Sequence, residues 1–80
     1  MGLLDYAMGE MQKTVKSNYK SMTGRDYDSD FRNYMYEYES KDDIEVRDRW
    51  EELVDNRGVR YAAEKAAVRQ IMLERGFSLD

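Results

Sequence analysis

The sequence predicts an all-α protein, a small bundle of about four helices forming a single domain over residues 1–80. Two observations carry the prediction. Four stretches place apolar residues at helical rather than strand spacing, and no Pro interrupts any of the 80 residues. Gly or Asn-Arg-Gly follows several of these stretches, where a helix is expected to end.

The first helix is predicted over 3–22. From Leu4, the residues Ala7, Met8, Met11, Val15, Tyr19 and Met22 follow at offsets of 3, 4, 7, 11, 15 and 18, one continuous stripe. Thr23-Gly24 closes it. A second helix is predicted over 29–39, capped by Asp28 or Ser29, because Phe31, Tyr34, Met35 and Tyr38 share one face. Tyr34, Tyr36 and Tyr38 also alternate with a period of two, so a short strand over 33–39 is the competing reading.

Ser40 or Asp42 is expected to cap a third helix over 41–56, with Val46, Trp50, Leu53 and Val54 on its inner face and Ile44 near its start. Trp50 is expected to anchor the core there. Gly58 is expected to adopt the left-handed conformation that ends this helix, with Val59 closing on Val54. The fourth helix, over 59–75, ends at Gly76, and Phe77 should fold back on Met72. Ala62, Ala63, Ala66 and Ala67 allow close approach of a neighbour, and the short connection favours the Trp50 helix in that place.

Only 14 residues are Leu, Ile, Val or Phe, although Met, Tyr, Trp and Ala raise the apolar share to 41%. A domain of this size buries only about 60% of its unfolded surface. The core should therefore be lean, and the long first stripe predicts homodimerisation or a core completed by a partner.

The net charge of −4 is unevenly distributed. Residues 1–25 and 56–80 each carry a surplus of two positive charges, whereas residues 26–55 hold twelve acids against four bases. Such a segment attracts basic partners and repels phosphate backbones. Asp26, Asp28, Asp30, Asp42 and Asp43 fall at predicted helix starts, where capping and the helix dipole explain them. The acids later in each helix are less readily explained in that way. The predicted partner-binding residues are accordingly Tyr34, Tyr36, Glu37, Tyr38 and Glu39 from the second helix, with Asp48, Glu51, Glu52 and Asp55 from the third.

The chain contains no Cys and no His. Disulfides, thiolate nucleophiles, imidazole bases and sulfur- or imidazole-held metals are thereby excluded. No Gly-rich phosphate loop is present, and no catalytic residue, cofactor or metal site is predicted. Asp26, Asp28, Asp30 and Glu37 match positions 1, 3, 5 and 12 of a calcium loop, but Phe31 stands where the turn Gly is required. No apolar run approaches the roughly 20 residues that cross a bilayer, so the expectation is a cytoplasmic protein without membrane partners. The start Met1-Gly2-Leu3-Leu4-Asp5-Tyr6 lacks the Ser or Thr of an acylation site.

The expected function is a non-enzymatic protein-binding module. In size, acidity and Tyr content the chain resembles, by type and through no shared motif, the small inhibitors encoded by phages and mobile elements that occlude nuclease complexes. The resemblance implies a regulator docking on the basic surface of a nucleic-acid-handling protein. The alternative is a helix-turn-helix-like nucleic-acid binder using Arg57, Arg60, Lys65, Arg69 and Arg75 around the fourth helix. Direct nucleic-acid binding is disfavoured by the overall acidity and by Glu64 and Glu74, which dilute that row.

Overall fold

The computed structural model describes residues 14–78, and every regular element among them is helical. Residues 14–23 form α1, Tyr27–Glu39 form α2 and Asp43–Val54 form α3. A single 3-10 turn, Val59–Tyr61, leads into α4, Ala62–Glu74. The all-α bundle expected from the apolar spacing is what forms. The strand alternative over 33–39 is overturned: helical spacing of Phe31, Tyr34, Met35 and Tyr38 prevails over the alternation of tyrosines.

The boundaries follow from local chemistry. Asp26, rather than Asp28 or Ser29, caps α2, accepting a hydrogen bond from the Ser29 backbone N–H at 2.9 Å. The helix therefore begins two residues earlier than expected. Asp42 caps α3 by accepting from Glu45 N–H at 3.0 Å. At the end of α1, Gly24 adopts φ +72° and donates its N–H to Lys20 O at 2.8 Å. The end of α4 is a full Schellman arrangement. Gly76, at φ +83°, donates to Leu73 O, and Phe77 N–H reaches Met72 O at 2.9 Å.

Gly58 does not take the left-handed conformation expected of it. Its φ is −66° and ψ 139°, an extended residue that starts the 3-10 turn. The end of α3 is closed instead by Asn56, whose side-chain amide donates to Glu52 O at 2.9 Å. The two glycines should therefore respond oppositely to alanine. Gly76→Ala forces an L side chain into left-handed space and should cost about 1 kcal/mol. Gly58→Ala needs no backbone change, and its Cβ would meet Tyr61 Cδ2 at an ordinary 3.4 Å; it should be neutral or stabilising by up to ~1 kcal/mol. Urea denaturation of both variants checks this, and equal destabilisation would contradict it.

The core lies where α2 and α3 meet α4. Tyr38, Val46, Leu53, Val68, Ile71 and Met72 are buried together, with Tyr34, Met35, Trp50, Tyr61 and Phe77 packed against them. Trp50 and Phe77 thus join the core as expected, each half-buried. On α4, Ala63, Glu64, Ala67, Val68, Ile71 and Met72 form two adjacent buried rows. A face that wide serves two neighbours, so α4 packs on α3 as expected but more extensively on α2. On α1, Tyr19 is buried, while Val15 is partly exposed and Met22 is 72% exposed. The rest of the predicted stripe, from Leu4 to Met11, lies outside the described residues.

Candidate interaction surface and the buried ion-pair network

Two buried carboxylates organise the fold, and their surroundings are alike. Asp30 on α2 is 4% exposed. It accepts from the Tyr19 hydroxyl of α1 on Oδ2 at 2.5 Å, and from Arg25 through Nε on Oδ2 at 2.8 Å and Nη2 on Oδ1 at 3.0 Å. Glu64 on α4 is 8% exposed. It accepts from the Tyr38 hydroxyl of α2 on Oε2 at 2.5 Å, and from Arg49 of α3 through Nε on Oε2 at 2.8 Å and Nη2 on Oε1 at 2.9 Å.

Each carboxylate thus takes a bidentate guanidinium fork and a phenol on the same oxygen, a pattern that restores the hydration lost on burial. Together the two clusters tie α1 to α2, and α2 to α3 and α4. Arg75, just past α4, adds a third tie. It pairs with Asp43 at 2.8 Å and donates to the carbonyls of Tyr38, Glu39 and Lys41 at the end of α2.

The titration behaviour follows from these contacts. Hydrogen bonds from Arg25 and then Tyr19 hold the Asp30 carboxyl below its ordinary value, against the opposing effect of burial. Burial alone would push Glu64 up, but the bonds from Arg49 and Tyr38 and the Arg49 charge outweigh it, and the net displacement is downward. Both phenols are pushed well above the ordinary tyrosine range, first by burial and then by bonding to a carboxylate. No buried side-chain polar atom among the described residues lacks a partner. The donors around Asp30 and Glu64 favour the ionised form of both acids and occupy both oxygens of each.

The sequence-predicted binding residues separate into three environments. Tyr38 is in the core and uses its hydroxyl on Glu64, so it is withdrawn from any contact surface. Tyr34 is half-buried, with its ring 6.4 Å from that of Tyr38. By contrast Tyr36 is 83% exposed, and Glu37 and Glu39 beside it are exposed as well. On α3 all four predicted acids face solvent. Asp48, Glu51 and Asp55 follow Ile44 at offsets of 4, 7 and 11, on the side away from Val46, Trp50 and Leu53. Ile44 is 65% exposed. Glu52 is tied to Arg49 at 2.8 Å.

The calcium-loop spacing does not survive folding. Asp26 is a cap, Asp28 pairs with Lys16 at 3.1 Å, Asp30 is enclosed by its donors, and Phe31 to Glu37 are helical. Among the described residues no group of three or more acids could hold a metal, and no helix is long and apolar enough to cross a membrane. The basic row of the alternative reading is partly committed elsewhere. Arg75 braces α2, Lys65 donates to Val54 O and Asn56 O at 3.3 Å, and Arg60 lies over the Tyr61 ring at 4.9 Å.

Sequence reasoning did not foresee the role of Asp30, Arg25, Arg49 or Glu64. The signal was present: Asp30 is in helical register with Tyr34 and Tyr38, and Glu64 with Val68 and Ile71. An acid set into an apolar stripe must be buried with partners or break the stripe. Comparison with known proteins adds no assignment: the chain matches no protein-family model, no curated protein and no solved structure.

Proposed function

We propose that the protein is a non-enzymatic binding module, a small acidic inhibitor or regulator of the phage or mobile-element type. Its outward strip on α3, Asp48, Glu51 and Asp55 with Ile44, docks on the basic surface of a nucleic-acid-handling protein. The supporting observation is the direction in which the charges point. Arg49, one of only four cations in the acidic middle, turns inward to Glu64, and Arg75 braces Asp43 and the end of α2. Asp48, Glu51 and Asp55 face water with no ion-pair partner among the described residues. Exposed like charges of this kind steer association with an oppositely charged surface, and the exposed Ile44 on the same strip contributes apolar area once contact is made.

The test uses the triple reversal Asp48→Lys, Glu51→Lys and Asp55→Lys, at positions that contribute nothing to the core. Helical circular dichroism should be unchanged. The partner is isolated from a lysate of the source cell at low and then high salt. It should be a basic nucleic-acid-binding protein, and association with the reversed variant should slow by about tenfold or more. Wild-type association should weaken with salt, since exposed charges are screened over about 8 Å at physiological ionic strength. An unchanged association rate would refute the strip as the working surface. Tight, salt-sensitive shifting of a DNA or RNA probe by the wild-type protein, lost on changing Arg57, Arg60 and Arg69 to Ala, would replace this reading with the nucleic-acid one.

A further inference from the structure

A cleft of about 430 Å³ opens between α1, α2 and α4, on residues that the α3 strip does not involve. One wall is aromatic. Tyr27 and Phe31 stack with ring centroids 6.4 Å apart and planes 9° from parallel, and Tyr27 meets Tyr19 edge-on at 5.6 Å. Tyr19 in turn donates its hydroxyl to the buried Asp30, which Arg25 also holds. Val15 extends it from α1, and Ala66 of α4 keeps the space open where a longer side chain would fill it.

The mouth is cationic. Arg69 lines it with no carboxylate partner among the described residues, while Gln70 beside it donates to Glu74 at 3.3 Å. Lys16 lines the other side, 5.9 Å from the Tyr27 ring centroid. It holds Asp28 at 3.1 Å in a pair whose side chains are 41% and 60% exposed. Pairs this exposed contribute little, so an incoming carboxylate can displace Asp28. An apolar slot rimmed by two cations matches one kind of occupant, an aromatic or long aliphatic side chain flanked by carboxylates. A segment of a protein supplies such a side chain and its flanking carboxylates in one chain.

We infer that this cleft is a second docking site, independent of the α3 strip, which receives an acidic segment of a partner protein through one large apolar side chain. The apolar side chain enters between Phe31 and Ala66, and its flanking carboxylates engage Arg69 and Lys16.

The probe is the blocked peptide acetyl-Asp-Phe-Leu-Glu-amide, titrated into the ¹⁵N-labelled full chain and followed by amide chemical shifts. Saturable shifts are expected at Val15, Lys16, Phe31, Ala66 and Arg69, and not at Asp48, Glu51 or Asp55. The Asn/Gln version of the peptide should bind about fivefold more weakly, the upper end for exposed ion pairs, and Arg69→Ala should produce a similar loss. Ala66→Leu should abolish binding by filling the slot, and Asp28→Asn should strengthen it by releasing Lys16. Arg69 and Asp28 are exposed, so the charge comparison stands even if Ala66→Leu perturbs the fold. Absence of saturable shifts up to ~10 mM, where binding weaker than the millimolar range would lie, or equal affinity for the uncharged peptide, would overturn the proposal. Failure of the α3 reversal test would leave these results unaffected.

Discussion

Glu64→Ala should destabilise the protein by about 3 kcal/mol, the lower end of the cost of removing one partner from a buried ion pair. The Arg49 guanidinium would lose both fork bonds and keep only the exposed Glu52 as a partner, and the Tyr38 hydroxyl would lose its acceptor inside the core. A domain of this length has a total stability of roughly 4–12 kcal/mol, so the variant should sit near the edge of folding at 37 °C. Urea denaturation followed at 222 nm measures it. Replacing the whole cluster, Glu64→Leu with Arg49→Met and Tyr38→Phe, should recover most of the loss, because the apolar trio leaves neither a desolvated charge nor an orphaned hydroxyl. A Glu64→Ala variant within 1 kcal/mol of the wild type would show that the cluster contributes nothing beyond occupancy of space.

Such clusters are better understood as fixing register than as sources of net stability, since desolvation offsets much of the attraction between buried charges. The physical case for that role is specific here. The core is small, with Leu53, Ile71, Val46 and Val68 its largest fully buried side chains, and apolar contacts alone are non-directional and do not fix how helices align. Tyr38, Arg49 and Glu64 come from three different helices and satisfy one another only in one alignment. Tyr19, Arg25 and Asp30 do the same for α1 against α2. This arrangement explains how α1 remains docked although Met22 on it stays mostly exposed.

What was legible in the sequence was the part decided by local rules. The caps at Asp42 and Gly76 each depend on a few neighbouring residues, and both were readable. Gly58 was misread because a Gly after a helix allows the left-handed turn without requiring it; there Asn56 closes the helix end instead. Of the candidate binding residues, Tyr36 and the α3 acids could be placed on exposed faces from periodicity alone. Tyr38 shared the apolar face of α2 with Phe31, Tyr34 and Met35, so its burial was legible; the acceptor of its hydroxyl, 26 positions away in Glu64, was not. The cleft was invisible for the same reason: Val15, Phe31 and Arg69 meet only after three helices have packed.

Acid should unfold the protein, and the two buried carboxylates should set where. Both have folded-state pKa values below their ordinary ones. For such groups the stabilisation is fully present above the unfolded values of about 3.9 for Asp and 4.3 for Glu, and is lost as pH falls through the folded values. The phenols act at the other end. Tyr19 and Tyr38 are raised, so their contribution is complete below the unfolded value near 10 and is lost as pH rises through the folded one. With no His in the chain, no side chain of ordinary pKa titrates between them. Urea midpoints should therefore be level from about pH 5 to 9 and decline steeply below about pH 4. Asp30→Asn and Glu64→Gln should each lower the plateau and flatten the acid limb, because a neutral amide has no proton to take up. A wild-type midpoint that holds constant down to pH 3, or an acid limb unchanged in both variants, would remove these carboxylates from the account of how the fold is held.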